Sequence, residues 1–170
     1  GWPCAFIRLT WCNLRCDYCD TTYSYFEGVE MSLDDILTQV RAMGVKLVEL
    51  TGGEPLLQDA TPELAGRLLA EGFTVLVETS GSIDIGILPD GCVRIVDFKV
   101  PSCGMAEKNL WENVLRLTPR DEVKFVVRTE ADYEWAKARI VEHDLFAKCV
   151  VNFSPVFGAL PNKTLAEWLI

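Results

Sequence analysis

Thr10–Tyr23 reads TWCNLRCDYCDTTY and holds three of the seven cysteines, Cys12, Cys16 and Cys19, in a C-x3-C-x2-C spacing. A structural zinc site closes with four protein ligands, and an ordinary electron-transfer cluster takes four as well. Three thiolates can hold three irons of a four-iron, four-sulfur cube and leave the fourth iron open to a small molecule. Asn13, Arg15 and Asp17 keep the intervening residues polar, so the spacing predicts a loop that wraps a cluster rather than a strand or a helix. Tyr18 sets an aromatic face beside it. The competing reading is a zinc-bound regulatory module, which needs a distant fourth ligand. The single histidine, His143, lies in a helical pattern and is a poor one.

The chain has 170 residues, 49% of them hydrophobic, enough for one domain with a sizeable core. A net charge of −9 argues against a nucleic-acid partner or an anionic membrane surface, both of which call for clustered Lys and Arg. No apolar run approaches the ~18 residues that span a bilayer, so a cytoplasmic protein is expected. Cys4, Cys92, Cys103 and Cys149 lie in or beside apolar segments and read as buried small hydrophobes.

Around the cysteine loop the pattern alternates. Cys4–Leu9 (CAFIRL) predicts a strand that feeds the loop directly, with Arg8 either a surface charge or an anion ligand at the strand mouth. Ser32 predicts an N-cap for a helix with Leu33, Ile36, Leu37, Val40 and Met43 on one stripe, stopped at Gly44. Lys46–Leu50 (KLVEL) predicts a second strand that runs into Thr51-Gly52-Gly53-Glu54-Pro55. Its glycines let backbone approach a ligand, and its Glu can meet an ammonium group. A helix over Pro62–Glu71 and strands at Phe73–Glu78 and Val93–Lys99 follow. Asp97 and Lys99 either pair with each other or a ligand, or point to solvent. A short helix over Lys108–Leu117, a strand at Glu122–Val127, a helix over Glu130–Asp144, a strand at Cys149–Phe153 and a helix over Lys163–Ile170 complete the reading. Strands joined by helices or long crossovers give right-handed β-α-β units. Six strands are too few for a closed eight-stranded barrel. The expected fold is therefore an α/β, abridged and partial (β/α)6 TIM-like barrel with mostly parallel strands and its binding face at the strand ends.

The C-x3-C-x-aromatic-C loop and the GGEP loop one β-α unit later resemble the radical S-adenosylmethionine (SAM) enzymes. In that superfamily SAM fills the open iron site and the GGEP-like element meets its amino group. In order along the chain, Arg8, CDTTY, VELTGGEPLLQ, VETSGS, VDFKVPS and DEVKFVV resemble more closely the 7-carboxy-7-deazaguanine synthases of queuosine and deazapurine biosynthesis. The resemblance implies a radical SAM lyase that converts 6-carboxy-5,6,7,8-tetrahydropterin to 7-carboxy-7-deazaguanine and releases ammonia. It implies a 4Fe-4S cluster, SAM and Mg2+, a homodimer, and an electron donor such as flavodoxin or ferredoxin.

Carried over, Cys12, Cys16 and Cys19 would hold the cluster and Thr21 would offer its hydroxyl to Mg2+. Arg8 and Thr51 would meet the substrate, Arg8 by pairing with its carboxylate. Tyr18, Asp20, Gly53, Glu54, Ser80, Asp97, Phe98, Lys99 and Ser154 would line SAM. No residue is expected as an acid-base catalyst, since the radical is borne by the cofactor. The family has a strand and a Gly/Glu loop ahead of Gly1 and a closing segment after Ile170, so residues 1–170 are expected to be one radical SAM domain of a longer chain. A glycyl-radical-enzyme activase shares the cysteine spacing and is the nearest alternative; CDTTY and Arg8 favour the synthase.

Overall fold

The computed structural model describes residues 1–170. Six strands, β1 (Cys4–Leu9), β2 (Leu47–Gly52), β3 (Thr74–Thr79), β4 (Val93–Asp97), β5 (Glu122–Val127) and β6 (Val150–Pro155), form one sheet in chain order. Every neighbouring pair is parallel, and β1 and β6 remain as edges, so the barrel is open, as expected. Helices α1 (Leu33–Ala42), α2 (Thr61–Ala70), α3 (Glu130–Glu142) and α4 (Asn162–Leu169) complete it. No helix is long and apolar enough to cross a membrane.

The two-residue period of the strands divides their side chains between two faces. On one face Ala5, Val48, Leu50, Val75, Val77, Val96, Val123, Phe125 and Val127 are buried. They share a core with Leu37 and Val40 of α1, Leu64, Ala65 and Leu68 of α2, Tyr133, Ala136 and Ile140 of α3, and Leu165 of α4. The helices therefore cover this outer face. The alternate residues form an inner face that is polar towards the strand ends: Arg8, Thr51, Glu78, Asp97, Lys99 and Lys124 all line one cavity there.

Local signals place most elements. Ser32 caps α1 by accepting the Asp35 N–H, and Gly44 leaves the helix at φ +67°. Thr129 and Asp132 form a reciprocal capping box at the start of α3. The helix expected over Lys108–Leu117 is instead two 3-10 turns, Ala106–Lys108 and Trp111–Arg116. Two asparagines account for the difference, because each spends its amide on a neighbouring loop. Asn109 pairs both ways with the Lys99 backbone at 2.8 Å. Buried Asn113 donates to Gly81 O and Ile83 O and accepts the Ile85 N–H. His143 closes α3 and stacks on Trp111 with ring centroids 4.4 Å apart, outside the cavity.

Asp132 ties α3 to the segment behind the cysteine loop. Its buried carboxylate accepts Ser102 N–H (3.0 Å), Ser102 O–H (2.6 Å) and the Arg128 and Thr129 N–H groups (3.1 Å each). Burial works to raise its pKa, but the Ser102 hydroxyl and these N–H donors outweigh burial and hold it below 3.8. A depressed carboxyl contributes stability that is present above its unfolded pKa and is lost as pH falls through the folded one. Asp132→Ala is expected to lower stability by about 2–3 kcal/mol at pH 7. Urea unfolding should show that gap narrowing as pH falls below 3.8; a gap independent of pH would remove the carboxylate as its source.

Candidate active site at the strand ends

The loops after β1 and β2 cross at van der Waals contact, and this crossing builds the site. A Cβ on Gly52, whose φ is +154°, would lie 2.1 Å from Leu9 O, and one on Gly53 would lie 2.2 Å from Trp11 O. No side chain fits at either position. Gly53 N–H donates to Leu9 O (3.1 Å), Glu54 N–H to Trp11 O (2.8 Å) and Trp11 N–H to Ser24 O (2.8 Å). Trp11 adopts φ +74°, a strained choice for a bulky residue, at the joint where the chain turns into the cysteine loop.

Within that loop Leu14 is buried as an anchor and its N–H points at Cys12 Sγ (3.4 Å). Asp17 N–H donates to Cys103 O (3.1 Å), so the Pro101–Cys103 turn backs the loop. The Tyr18 hydroxyl donates to Val126 O at 2.9 Å, with the Arg128 guanidinium over its ring. All seven cysteines are free thiols. Burial pushes the Cys12 thiol above 9.0, so iron ligation there displaces a proton.

A cavity of about 280 Å³ lies inside these loops. Cys12, Cys16, Cys19, Tyr18, Asp20, Thr21, Gly53, Ser80, Asp97 and Lys99 line it, together with Arg8 and Thr51. No three His, Cys, Asp or Glu side chains are placed to share one metal ion. A tetrahedral zinc would need its sulfurs only about 4 Å apart. Thiols spread around a cavity suit a cluster that offers each its own iron. Asp97 supplies a second sign of fit: Oδ2 takes the Lys99 ammonium at 2.8 Å, while Oδ1 is buried with no partner. A buried carboxylate oxygen calls for a donor, and the ammonium and hydroxyl groups of SAM are such donors. Burial disfavours the Lys99 charge, but Asp97 outweighs it and keeps the ammonium protonated.

A model of the radical SAM superfamily matches residues 6–99. The 7-carboxy-7-deazaguanine synthase of Chlorobaculum tepidum is 44% identical over 173 residues, which covers 100% of this chain and 79% of that protein. The synthase of Koribacter versatilis is 46% identical over 160 residues, covering 92% and 71%. The chain belongs to the 7-carboxy-7-deazaguanine synthase family. In fold it matches the crystal structure of QueE from Escherichia coli with a TM-score of 0.76 and 24% identity, over 99% of this chain and 81% of that one. Streptococcus suis SuiB, solved with its precursor peptide SuiA, matches at 0.71 over 98% of this chain and 44% of that one, with 11% identity. Family membership brings the 4Fe-4S cluster and SAM as cofactors.

Three of the residues expected at SAM have side chains outside the cavity wall. Glu54 is fully buried and absent from the cavity wall. Its Oε1 accepts Leu56 N–H (3.0 Å) and Thr79 O–H (2.8 Å), and its Oε2 accepts Ser80 N–H (2.7 Å) and Ser80 O–H (2.6 Å). Four donors use the oxygens that an ammonium group would need. Glu54 thus clamps the loop after β2 to the loop after β3 and positions Gly53 and Ser80. Phe98 is fully buried and stacks on Trp111 at 4.5 Å between centroids, so its ring belongs to the core. Ser154 pairs with Val126 across β5 and β6 but does not reach the wall. The wall also includes Glu78, expected only as part of the strand-end face, and Lys124 and Tyr25, which no local sequence signal singles out.

Glu54→Gln replaces an acceptor with an amide that must face a donor. A stability loss of about 2–3 kcal/mol is expected, accompanied by weaker SAM binding. Weakened SAM binding with wild-type urea stability would instead restore Glu54 as a direct ligand.

Proposed function

We propose that this chain converts 6-carboxy-5,6,7,8-tetrahydropterin to 7-carboxy-7-deazaguanine with release of ammonia, on the route to queuosine and related deazapurines. One observation carries the reading: the three cysteines and the Asp97–Lys99 pair open into the same cavity as Arg8 and Thr51, in a chain 44% identical along its length to a synthase named for that product.

When bound, the reduced cluster supplies the electron that cleaves SAM and so provides the hydrogen-abstracting radical. The side chains hold and shield what reacts. Cys12, Cys16 and Cys19 hold the cluster. Tyr18, Asp20, Gly53, Ser80, Asp97 and Lys99 would hold SAM, and the unpartnered Asp97 Oδ1 would accept from one of its donors.

Arg8 binds the substrate carboxylate. Its guanidinium makes one long contact, Nη1 to Gly52 O at 3.4 Å, which leaves the fork free for bidentate pairing. Arg8 faces Thr51 in the β1–β2 register, so both reach the substrate from one row of the sheet. Thr51 hydrogen-bonds the pterin. Thr21 presents its hydroxyl 3.7 Å from Cys19 Sγ, where it would serve as an oxygen ligand for Mg2+, a hard cation that would supply charge stabilisation to the substrate. The domain works as a homodimer in the cytoplasm and takes electrons from a flavodoxin or ferredoxin.

Cys16→Ala should lose the brown chromophore at about 400 nm, which arises from sulfur-to-iron charge transfer in the cluster, and SAM cleavage with it. Retention of both would remove this loop as the cluster site. Thr21→Ala should keep the cluster and respond weakly to Mg2+; an unchanged Mg2+ titration would exclude it as a ligand. The function itself is tested by anaerobic turnover of reconstituted protein with SAM, reductant, Mg2+ and the carboxytetrahydropterin. Mass spectrometry should find 7-carboxy-7-deazaguanine; 5'-deoxyadenosine and methionine without it would redirect the assignment towards a protein glycine.

A further inference from the structure

The inner face carries a charged group that the cofactor and substrate contacts do not use. Glu78 on β3 reaches over β4 to Lys124 on β5, with Oε1 and Nζ 2.8 Å apart, and both line the cavity. Glu49 lies on the same face of β2. Its register partner on β3 is Leu76, so Glu78 is its diagonal neighbour, within reach of a long side chain. The charges that face Glu49 come from several strands: Cys4 and Arg8 of β1, Glu78 of β3 and Lys124 of β5. Asp97 and Lys99, at the end of β4, act on Glu78 and Lys124. Two adjacent carboxyls beside one close ammonium favour a single retained proton.

Ammonia release needs a proton, because nitrogen leaves with the electron pair of the broken C–N bond. Within the cavity wall, Asp97 and Lys99 are paired with each other, Lys124 is the ammonium that Glu78 holds, Asp20 is assigned to SAM, and burial pushes the Tyr25 hydroxyl too high to give up a proton readily. The cysteines of the wall belong to the cluster, and His143 lies outside it. We propose that Glu49 and Glu78 form a carboxyl pair that stores one proton and delivers it from Glu78 to the nitrogen leaving as ammonia. In this step the C–N bond breaks, its electron pair stays on nitrogen, and that nitrogen takes the proton. The pair is left doubly negative, with Lys124 as its close counter-charge, and regains its proton from the solvent to which both side chains are partly open. Glu78 is the catalytic residue, and Glu49 is the positioning residue that keeps the proton available. The protonation behaviour agrees with the geometry: burial, then Glu78, pushes Glu49 up to about 7, while Lys124 overcomes burial and holds Glu78 below its ordinary value.

The inference rests on the function proposed above, and the test separates the two. In infrared titration of the cluster-loaded protein, a protonated-carboxyl C=O band should fade with a midpoint near 7 and be missing from Glu49→Gln. In turnover, product formed per 5'-deoxyadenosine should fall on the alkaline side of that midpoint. Glu49→Gln should move this limb to lower pH and reduce the ratio at neutral pH by about 10²-fold, the scale of general-acid catalysis. Lys124→Met, which removes the counter-charge, should move the limb to higher pH. A wild-type pH profile in both variants, or a carboxyl band that survives Glu49→Gln, overturns the proton pair while leaving the synthase reading in place. If the wild-type protein cleaves SAM and forms no 7-carboxy-7-deazaguanine, both readings fall together.

Discussion

The crossing of the β1 and β2 exit loops is the constraint on which the rest of the site depends. Leu9 and Trp11 carbonyls occupy the space that side chains at positions 52 and 53 would fill, so only the Gly-Gly pair lets the cysteine loop pass over β2. Backbone hydrogen bonds from Gly53 and Glu54 then fix the crossing. The Glu54 carboxylate extends the junction to β3 through Thr79 and Ser80. Three loops from three strands thus become one rigid rim, and the thiols, Gly53 and Ser80 stand on it at fixed separations. Reactions that need a radical carbon held against one substrate atom demand this kind of pre-organisation.

The sheet supplies the second half of the site by a simple division. Alternate strand residues face the helices and are apolar; their neighbours face the interior and carry charge. Because the sheet stays open between β1 and β6, the inner face need not fill itself with packed aliphatic layers as a closed barrel does. It can hold Arg8, Thr51, Glu78, Asp97, Lys99 and Lys124 along one wall. Asp97–Lys99 and Glu78–Lys124 are partly or largely buried pairs, costly on desolvation alone. Their placement at the strand ends fits ligand binding better than a stabilising role.

Much of this arrangement is legible in the sequence because its signals are local. Strand periodicity, the Ser32 cap, the Gly44 stop and the cysteine spacing each depend on residues a few positions apart. The parallel order follows from helical crossovers. What escapes is set by contacts between distant segments. Asn109 and Asn113 sit in a stretch with helical apolar spacing, yet their amides bind Lys99, Gly81 and Ile83, and 3-10 turns result. Glu54 sits in a loop that suggests a ligand, and only the positions of Thr79 and Ser80 show that its oxygens are already taken. Glu78 and Lys124 are 46 residues apart. Glu78 ends a strand motif and Lys124 sits inside one, and nothing in either segment says that the two meet across β4.

The central claim is that one cavity, rimmed by the three cysteines and floored by Arg8, Thr51 and Glu78, holds SAM and the pterin against each other. Isotope transfer tests this most directly. With carboxytetrahydropterin deuterated at C6, anaerobic incubation should place deuterium on the 5' carbon of the adenosyl group, read in 5'-deoxyadenosine released by uncoupled events and in SAM re-formed when the redox-neutral conversion returns a hydrogen to the substrate. Formation of 5'-deoxyadenosine without deuterium, under conditions where substrate is bound, would show that the radical carbon and C6 do not meet in this cavity and would contradict the account.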